Sequence, residues 1–96
     1  MEKFDFGKAI SLLKEGKKVA REGWNGKGMF LFLLPAGKIP KHVINDSKLL
    51  EVIEATGNDY FEAIASIRMK TADNKILTGW LASQTDMLSD DWIEVL

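Results

Sequence analysis

The chain has 96 residues, of which 46% are apolar and 28% charged, with a formal net charge of −1 and no cysteine. This composition is typical of a folded protein rather than a disordered one, and the length suits a single domain over residues 1–96. The absence of cysteine excludes disulfides and thiolate catalysis, and the lack of a basic surplus argues against a dedicated nucleic-acid binder.

The sequence lacks the apolar segments that direct a protein to a membrane or to secretion. Its start, MEKFDFGKAI, has no apolar stretch of the kind found in signal peptides. The longest apolar run, residues 29–35, is far shorter than the roughly 18 residues that indicate a membrane span. We therefore expect a cytoplasmic protein with no membrane partner.

Basic residues are concentrated in the first part of the chain. Nine of the 13 lysines and arginines lie at or before Lys41, with four of the 14 acidic residues. This asymmetry predicts a basic patch that faces a small anion or the acidic half of a second subunit. An ordinary solvated surface explains it equally well.

The first elements are a helix and a short strand. Asp5 is a candidate N-cap for a helix whose apolar stripe covers residues 6–13, and Gly16 is its stop signal. Residues 17–21 (KKVAR) predict a short strand.

A glycine-rich stretch and an apolar strand come next. Residues 22–28 contain three glycines, which indicates a turn or an exposed functional loop. Residues 29–34 (MFLFLL) are apolar on both faces and predict a strand that is central or buried at an interface. Residues 35–46 are expected to be irregular because they contain two prolines and a glycine.

The second half predicts another helix and three more strands. Ser47 is a candidate N-cap and Gly57 the stop of the second helix, and residues 62–70 predict one continuous strand. A turn at residues 73–74 leads into a partner strand over 75–80. A short helical turn over residues 81–89 and a closing strand over 92–96 complete the chain.

These elements favour an α+β fold over a parallel βαβ arrangement. We expect a small antiparallel sheet with two helices packed on it and a short C-terminal helical turn.

Candidate catalytic and metal-binding residues are few. The sole histidine, His42, lies in a proline-flanked stretch and is better explained as a surface residue than as a general base. Asp86, Asp90 and Asp91 could hold a hard cation, but the last two are better explained as caps of a turn. The sequence therefore predicts no catalytic residue and no metal site.

Tryptophan and glycine give the stronger signal. Two of the three tryptophans follow a glycine, at Trp24 and Trp80, and an indole face can stack on a nucleobase. Trp24 is flanked by Arg21, Asn25 and Lys27, which suit phosphates and hydroxyls, and its polar, glycine-rich loop should not lie in a core. Trp92, between an aspartate and an isoleucine on a predicted strand, is better explained as a core residue.

The polar residues after Trp80 can be interpreted in two ways. Ser83 and Asp86 have the spacing of a helix N-cap and its return contact, close to a capping box. Alternatively Ser83, Gln84 and Asp86 are partners for ribose hydroxyls. Asp86 cannot serve fully in both roles.

Two stretches, REGWNGKGMFLFL (residues 21–33) and MKTADNKILTGWLASQTDMLSDDW (residues 69–92), together with the opening FGKAISLLKEGKKVAREGW, resemble the second type of Thoeris anti-defence protein. The resemblance implies a phage protein without catalytic activity or cofactor. It implies sequestration of the cyclic ADP-ribose-type messenger made by TIR-domain immune enzymes, and in some members of cyclic dinucleotides.

The resemblance also implies a homotetramer with ligand pockets between subunits. Trp24 and Asn25 fall in the first shared motif. The second motif contains Trp80, Ser83, Asp86 and Met87. The motifs do not choose which of Arg21, Lys27 or Arg68 holds a pyrophosphate. An enzyme that hydrolyses the messenger and a protein-interaction module remain the alternatives.

Overall fold

The computed structural model describes residues 2–96, apart from the side chains at positions 25 and 26. The chain divides into two compact units, Met1–Leu34 with Ser66–Leu96 and Pro35–Ala65. The helices are α1 (Phe6–Lys14), α2 (Ser47–Thr56) and α3 (Gln84–Leu88), with 3-10 helices at Glu22–Lys27 and Lys41–Val43. The strands are β1 (Lys18–Arg21), β2 (Phe30–Leu34), β3 (Gly37–Pro40), β4 (Tyr60–Ala63), β5 (Ser66–Lys70), β6 (Ile76–Thr78) and β7 (Trp92–Val95).

Helix α1 begins and ends where the sequence predicted. The Asp5 carboxylate accepts a hydrogen bond from the Lys8 backbone N–H at 2.8 Å, which satisfies one of the free donors of the first turn. After Lys14, the chain leaves the helix through Gly16, whose φ of 88° is a left-handed conformation that favours glycine. The apolar stripe of α1 buries Ala9 and Leu13.

The first unit is built on a five-stranded sheet. Its strand order is β6-β5-β2-β1-β7, and every pairing in it is antiparallel. β2 therefore lies in the middle, which confirms the prediction of a central strand, and its Leu31 is fully buried. The core cluster is made by α1 and one face of this sheet: Ala9, Leu13, Val19, Leu31, Met69 and Trp92.

The second unit corrects two expectations about residues 35–70. Residues 35–46 are not irregular, because β3 and a 3-10 helix lie there. β3 can end in Pro40 because it pairs only with β4, so the missing N–H can face away from the ladder. Residues 62–70 are not one strand: the chain leaves one sheet after Ala63 and enters the other at Ser66, and the alternation of side chains does not reveal that change.

Helix α2 has a different cap from the predicted one. The Asp46 carboxylate accepts from the backbone N–H groups of Lys48 and Leu49 at 3.0 and 3.1 Å, so the N-cap is Asp46 and not Ser47. An aspartate and a serine are comparable caps, so sequence alone does not separate neighbours. Gly57 ends the helix as predicted, with a φ of 79°, and Ile53 is its buried residue.

Over residues 2–96 the fold class is the predicted one, a small α+β fold with three α-helices, a five-stranded antiparallel sheet and a separate two-stranded sheet. The C-terminal helical turn and the closing strand are present as α3 and β7. Within residues 2–96, none of the helices has the length and apolar character needed to cross a membrane.

The central strand gives a direct test of the core. We expect Leu31→Ala to lower the free energy of unfolding by about 2–5 kcal/mol, because it leaves a cavity at a fully buried position. Ile64→Ala, at a side chain that is 87% exposed, is the control and should change stability by no more than about 0.5 kcal/mol. Urea unfolding measures both, and equal losses would contradict the assignment of β2 to the core.

Candidate ligand-binding site at the tryptophan cluster

The three tryptophans meet in one cluster, which we call the tryptophan cluster: Trp24, Trp80 and Trp92. The ring centroids of Trp24 and Trp92 are 5.4 Å apart, those of Trp24 and Trp80 6.2 Å, and those of Trp80 and Trp92 6.4 Å. The interplanar angles are 78°, 81° and 82° in the same order, so each pair is edge-to-face. Such pairs are favourable by about 0.5–1.5 kcal/mol beyond their burial, which holds the rings in fixed orientations.

Trp92 is the buried member of the cluster. It is fully buried in the core, and its indole Nε1 donates a hydrogen bond to the Asp86 carbonyl oxygen at 2.9 Å. This confirms that Trp92 is a core residue. Trp24 and Trp80 are half-buried and pack against the same core, so each ring keeps part of its surface accessible.

The position of Trp24 corrects the expectation of a loop outside the core. Residues Glu22–Lys27 form a 3-10 helix that lays the Trp24 ring against the core cluster. The segment ends at Gly28, whose φ of 68° is left-handed, and the Lys70 ammonium donates to the Gly28 carbonyl at 2.9 Å. A segment with so many glycines looks irregular in sequence, but its helical turn and this lysine contact fix the tryptophan.

The two glycines that precede Trp24 and Trp80 differ in whether the backbone conformation requires a glycine. Gly79 has a φ of 83°, so a side chain there would be strained, and the backbone N–H groups of Gly79 and Trp80 both donate to the Ile67 carbonyl at 3.1 and 2.9 Å. Gly23 has no left-handed φ and open space where a Cβ would lie. The Gly79 turn therefore orients Trp80, whereas Gly23 is not required by backbone geometry.

Four polar residues around α3 form what we call the Asp86 network: Arg21, Ser83, Asp86 and Asp91. Asp86 and Ser83 make the predicted capping box, with Ser83 N donating to Asp86 Oδ2 at 2.9 Å and Asp86 N donating to Ser83 Oγ at 3.0 Å. Arg21 Nη1 donates to the other oxygen of Asp86, Oδ1, at 3.2 Å. Arg21 Nε and Nη2 donate to Asp91 at 3.0 and 3.5 Å. Both carboxylate oxygens of Asp86 thus already have donors.

The network shifts the pKa of its two most engaged members. Burial raises the pKa of Asp86, but hydrogen bonds from Ser83 and Arg21 and the charge of Arg21 outweigh it, so the pKa lies below its ordinary value. The pKa of Arg21 is raised, chiefly by its hydrogen bonds to Asp91, against the opposing effect of burial. Both groups are therefore held in their charged forms.

Four of the remaining predicted site residues have exposed side chains. Lys27 is exposed at the end of the 3-10 helix, and Ser83, Gln84 and Met87 are exposed on α3 or at its cap. The side chain of Asn25 lies outside the described part of the structure. Its backbone lies in the 3-10 helix next to Trp24.

Arg68 lies on the other side of the sheet. It neighbours the core residue Met69 on β5, and alternate side chains of a strand point to opposite faces, so Arg68 points away from the face that carries the tryptophan cluster. Within residues 2–96, its buried Nε has no hydrogen-bond partner. His42 is exposed on the 3-10 helix of the second unit.

Sequence reasoning missed the roles of Asp91 and Lys70. The sequence predicts Asp91 only as a turn cap and gives no role to Lys70. Asp91 meets Arg21 because β1 and β7 are neighbours, with Arg21 paired to Trp92 in the register. Arg21 ends β1 and Asp91 immediately precedes β7, so their opposite charges suggest an ion pair only once the pairing of β1 with β7 is known.

Three grooves lie away from the tryptophan cluster, two of about 300 Å³ in the second unit and one in the first. A groove of about 410 Å³ in the first unit is lined partly by Phe4, Lys8 and Glu94. Lys8 is already paired with Glu2 at 2.7 Å and lies over the Phe4 ring at 5.2 Å. Among the described residues there is no group of three or more histidine, aspartate or glutamate side chains placed to hold a metal ion. The tryptophan cluster is our candidate site because it combines partly accessible indole rings in fixed orientations with the polar Asp86 network beside them.

Comparison with known proteins shows the family to which the chain belongs. The model of the Thoeris anti-defense 2-like domain matches residues 4–95 of the chain. A protein named Thoeris anti-defense 2, from Bacillus phage SP01, is 40% identical over 97 aligned positions that cover 94% of this chain and 92% of that protein. The chain belongs to the Thoeris anti-defense 2-like family. Membership supports a role in phage anti-defence against Thoeris and confirms the resemblance seen in the two motifs.

The Asp86 network predicts a loss of stability in acid. Because the pKa of Asp86 is lower in the folded state than its unfolded value of about 3.9, its contribution is present above that value and disappears as pH falls through the folded pKa. We expect Asp86→Asn to be less stable than the wild type at pH 6 and to lose less stability on going below pH ~4. Urea unfolding across this range measures it, with Asp90→Asn at an exposed neighbour as control. Parallel pH profiles for wild type and Asp86→Asn would contradict the assignment.

Proposed function

We propose that this member of the Thoeris anti-defense 2-like family binds a cyclic ADP-ribose-type immune messenger and holds it without degrading it. The site is the accessible surface of Trp24 and Trp80 together with the polar groups beside them. The protein acts in the cytoplasm of the infected bacterium, where such a messenger is made. A cyclic dinucleotide is the second ligand class to test, because it offers the same stacking bases and phosphates.

The orientation of the two half-buried rings is the observation that carries this proposal. Trp24 and Trp80 are nearly perpendicular, at 81°, so they cannot sandwich one base between parallel faces. They can instead offer a face on which a base stacks and a second ring that borders the edge of that base. A stack of this kind contributes about 1–3 kcal/mol in proteins that bind single strands.

Polar groups beside the rings suit the sugar and phosphate parts of such a ligand. Lys27 is exposed three residues after Trp24 and offers a positive charge to a phosphate. Ser83 and Gln84 are exposed next to Trp80 and can bond hydroxyl groups. Arg21 and Asp86 have most of their hydrogen-bonding groups engaged with each other, Ser83 and Asp91, so they are weaker candidates for direct contact. Asn25 and Met87 are proposed from the shared motifs alone.

Assembly is part of the proposal, as a homotetramer with pockets between subunits. The α3 region supports it, because Leu81 and Leu88 are 87% and 78% exposed and a second subunit would remove them from water. Such a subunit could also bring its own Arg68 to the tryptophan cluster, from which the Arg68 of the same chain points away.

The affinity that a sequestering protein needs is within reach of these groups. A nanomolar dissociation constant corresponds to about −12 kcal/mol. Stacking and several charge-assisted hydrogen bonds can supply that sum only if little is lost in ordering the site. Rings held by the core and by a capping box meet this condition.

Titration and recovery of the ligand test the proposed function together. We expect calorimetry to show tight binding of at least one cyclic ADP-ribose isomer or cyclic dinucleotide. Heat denaturation of the complex should then release the messenger chemically unchanged. Recovery of a hydrolysed product would favour a hydrolase instead, and no binding of any of these compounds would contradict the proposal.

Substitution of Trp24 separates ligand binding from subunit contact. We expect Trp24→Ala to weaken binding of the messenger by about 1–3 kcal/mol, since it removes the stacking face. Trp24→Phe should lose less binding free energy because a flat ring remains. Light scattering should show the same assembly for both variants and the wild type. If Trp24→Ala dissociates the assembly, the ring is a subunit or partner contact and the protein is an interaction module.

A further inference from the structure

We infer that Arg21 is a positioning residue for the messenger site: it does not touch the ligand but fixes the segments of Trp24 and Trp80 relative to each other by clamping Asp86 and Asp91. This inference rests on the proposed function and assigns Arg21 a role that differs from holding a phosphate. It also assigns a part in ligand binding to Asp91.

The geometry of the guanidinium leaves little for a ligand. Its Nε and Nη2 face the two oxygens of Asp91, and Nη1 faces Asp86 Oδ1. The Arg21 side chain is 21% exposed, and that of Asp86 13%. These contacts use three of the five N–H groups of the guanidinium. A phosphate that took over the fork of Nε and Nη2 would have to displace Asp91 and leave that carboxylate in a partly dry environment, which is costly.

The position of Arg21 in the chain explains what the clamp controls. Arg21 is the residue immediately before the 3-10 helix that carries Trp24, and it is the last residue of β1. Asp86 closes the capping box with Ser83, three residues after Trp80, and its carbonyl accepts the Trp92 indole. A single side chain thus connects the segment of Trp24, the cap that follows Trp80 and the buried ring between them.

The surrounding contacts do not replace this clamp. The Glu22 backbone N–H donates to the Asp91 carbonyl at 2.9 Å, which keeps the chain ends near each other but does not orient the α3 cap. Removing either side of the Arg21–Asp91 pair should therefore leave the fold intact while the cap and the Trp24 segment lose their fixed relation.

The test uses Asp91→Asn, because the two roles of Arg21 predict opposite signs. If Arg21 bound a phosphate, weakening its pair with Asp91 would free the guanidinium, and the messenger would bind as tightly as before or more tightly. If Arg21 positions the site, Asp91→Asn and Arg21→Gln should both weaken binding of the messenger, by about tenfold.

The double variant should lose no more affinity than the weaker-binding of the two single variants, because both residues act through one clamp. Glu22→Gln, which removes only an exposed ion pair with Lys3, is the control.

Two further readouts complete the experiment. The salt dependence of the dissociation constant should be the same in Arg21→Gln and wild type, whereas loss of a phosphate contact would lower its slope. Near-ultraviolet circular dichroism of the unliganded protein reports the coupling of the three indoles. It should change alike in Arg21→Gln and Asp91→Asn and stay unchanged in Glu22→Gln.

Several outcomes would overturn the inference. These are unchanged or tighter binding by Asp91→Asn, a reduced salt slope in Arg21→Gln, or wild-type affinity and dichroism in both variants at a temperature where they are folded. If the wild type binds no messenger, the proposed function fails. Near-ultraviolet circular dichroism of the unliganded variants then still decides whether Arg21 orients the tryptophans.

Discussion

The carboxylate of Asp86 holds together parts of the chain that are far apart in sequence. One carboxylate oxygen accepts a hydrogen bond from the Ser83 backbone N–H and the other accepts from Arg21. The backbone carbonyl of Asp86 accepts from the Trp92 indole. Residues of the end of β1, the start of α3 and the start of β7 are joined in this way. Because an aspartate that loses such partners would be a poorly solvated charge, the interaction is cooperative: each contact makes the others more favourable.

The tryptophan cluster depends on this arrangement and on the sheet beneath it. Trp92 is fixed by the core and by its hydrogen bond, and Trp24 and Trp80 rest against it nearly at right angles. A ligand that stacks on such rings does not have to order them first, so less of the binding free energy is lost. This favours capture of a scarce small molecule, which is what membership of the Thoeris anti-defense 2-like family leads us to propose.

Much of this fold follows from local sequence signals. The Asp5 cap, the Gly16 stop, the apolar central strand and the Ser83–Asp86 capping box each depend on contacts within a few residues, and the structure has all four. The break between β4 and β5 was not predicted, because alternation continues across it while the chain moves to another sheet.

The residue types of the candidate site can be read from the sequence, but the contacts that join those residues cannot. Gly-Trp pairs and nearby polar residues pointed to Trp24 and Trp80. The partnership of Arg21 with Asp91 depends on β1 lying beside β7, a long-range pairing that one sequence does not reveal. The packing of Trp24 on the core was hidden because a glycine-rich segment can be either an open loop or a 3-10 helix.

The indole N–H signals of the three tryptophans provide the most direct test of the central claim, that a messenger stacks at Trp24 and Trp80 above a buried Trp92. In a two-dimensional nitrogen–proton spectrum each tryptophan gives one such signal, and single Trp→Phe variants assign them. Titration with the messenger that binds should shift the signals of Trp24 and Trp80 strongly and that of Trp92 only slightly. Binding that leaves the Trp24 and Trp80 signals unmoved would contradict the claim and place the ligand elsewhere on the protein.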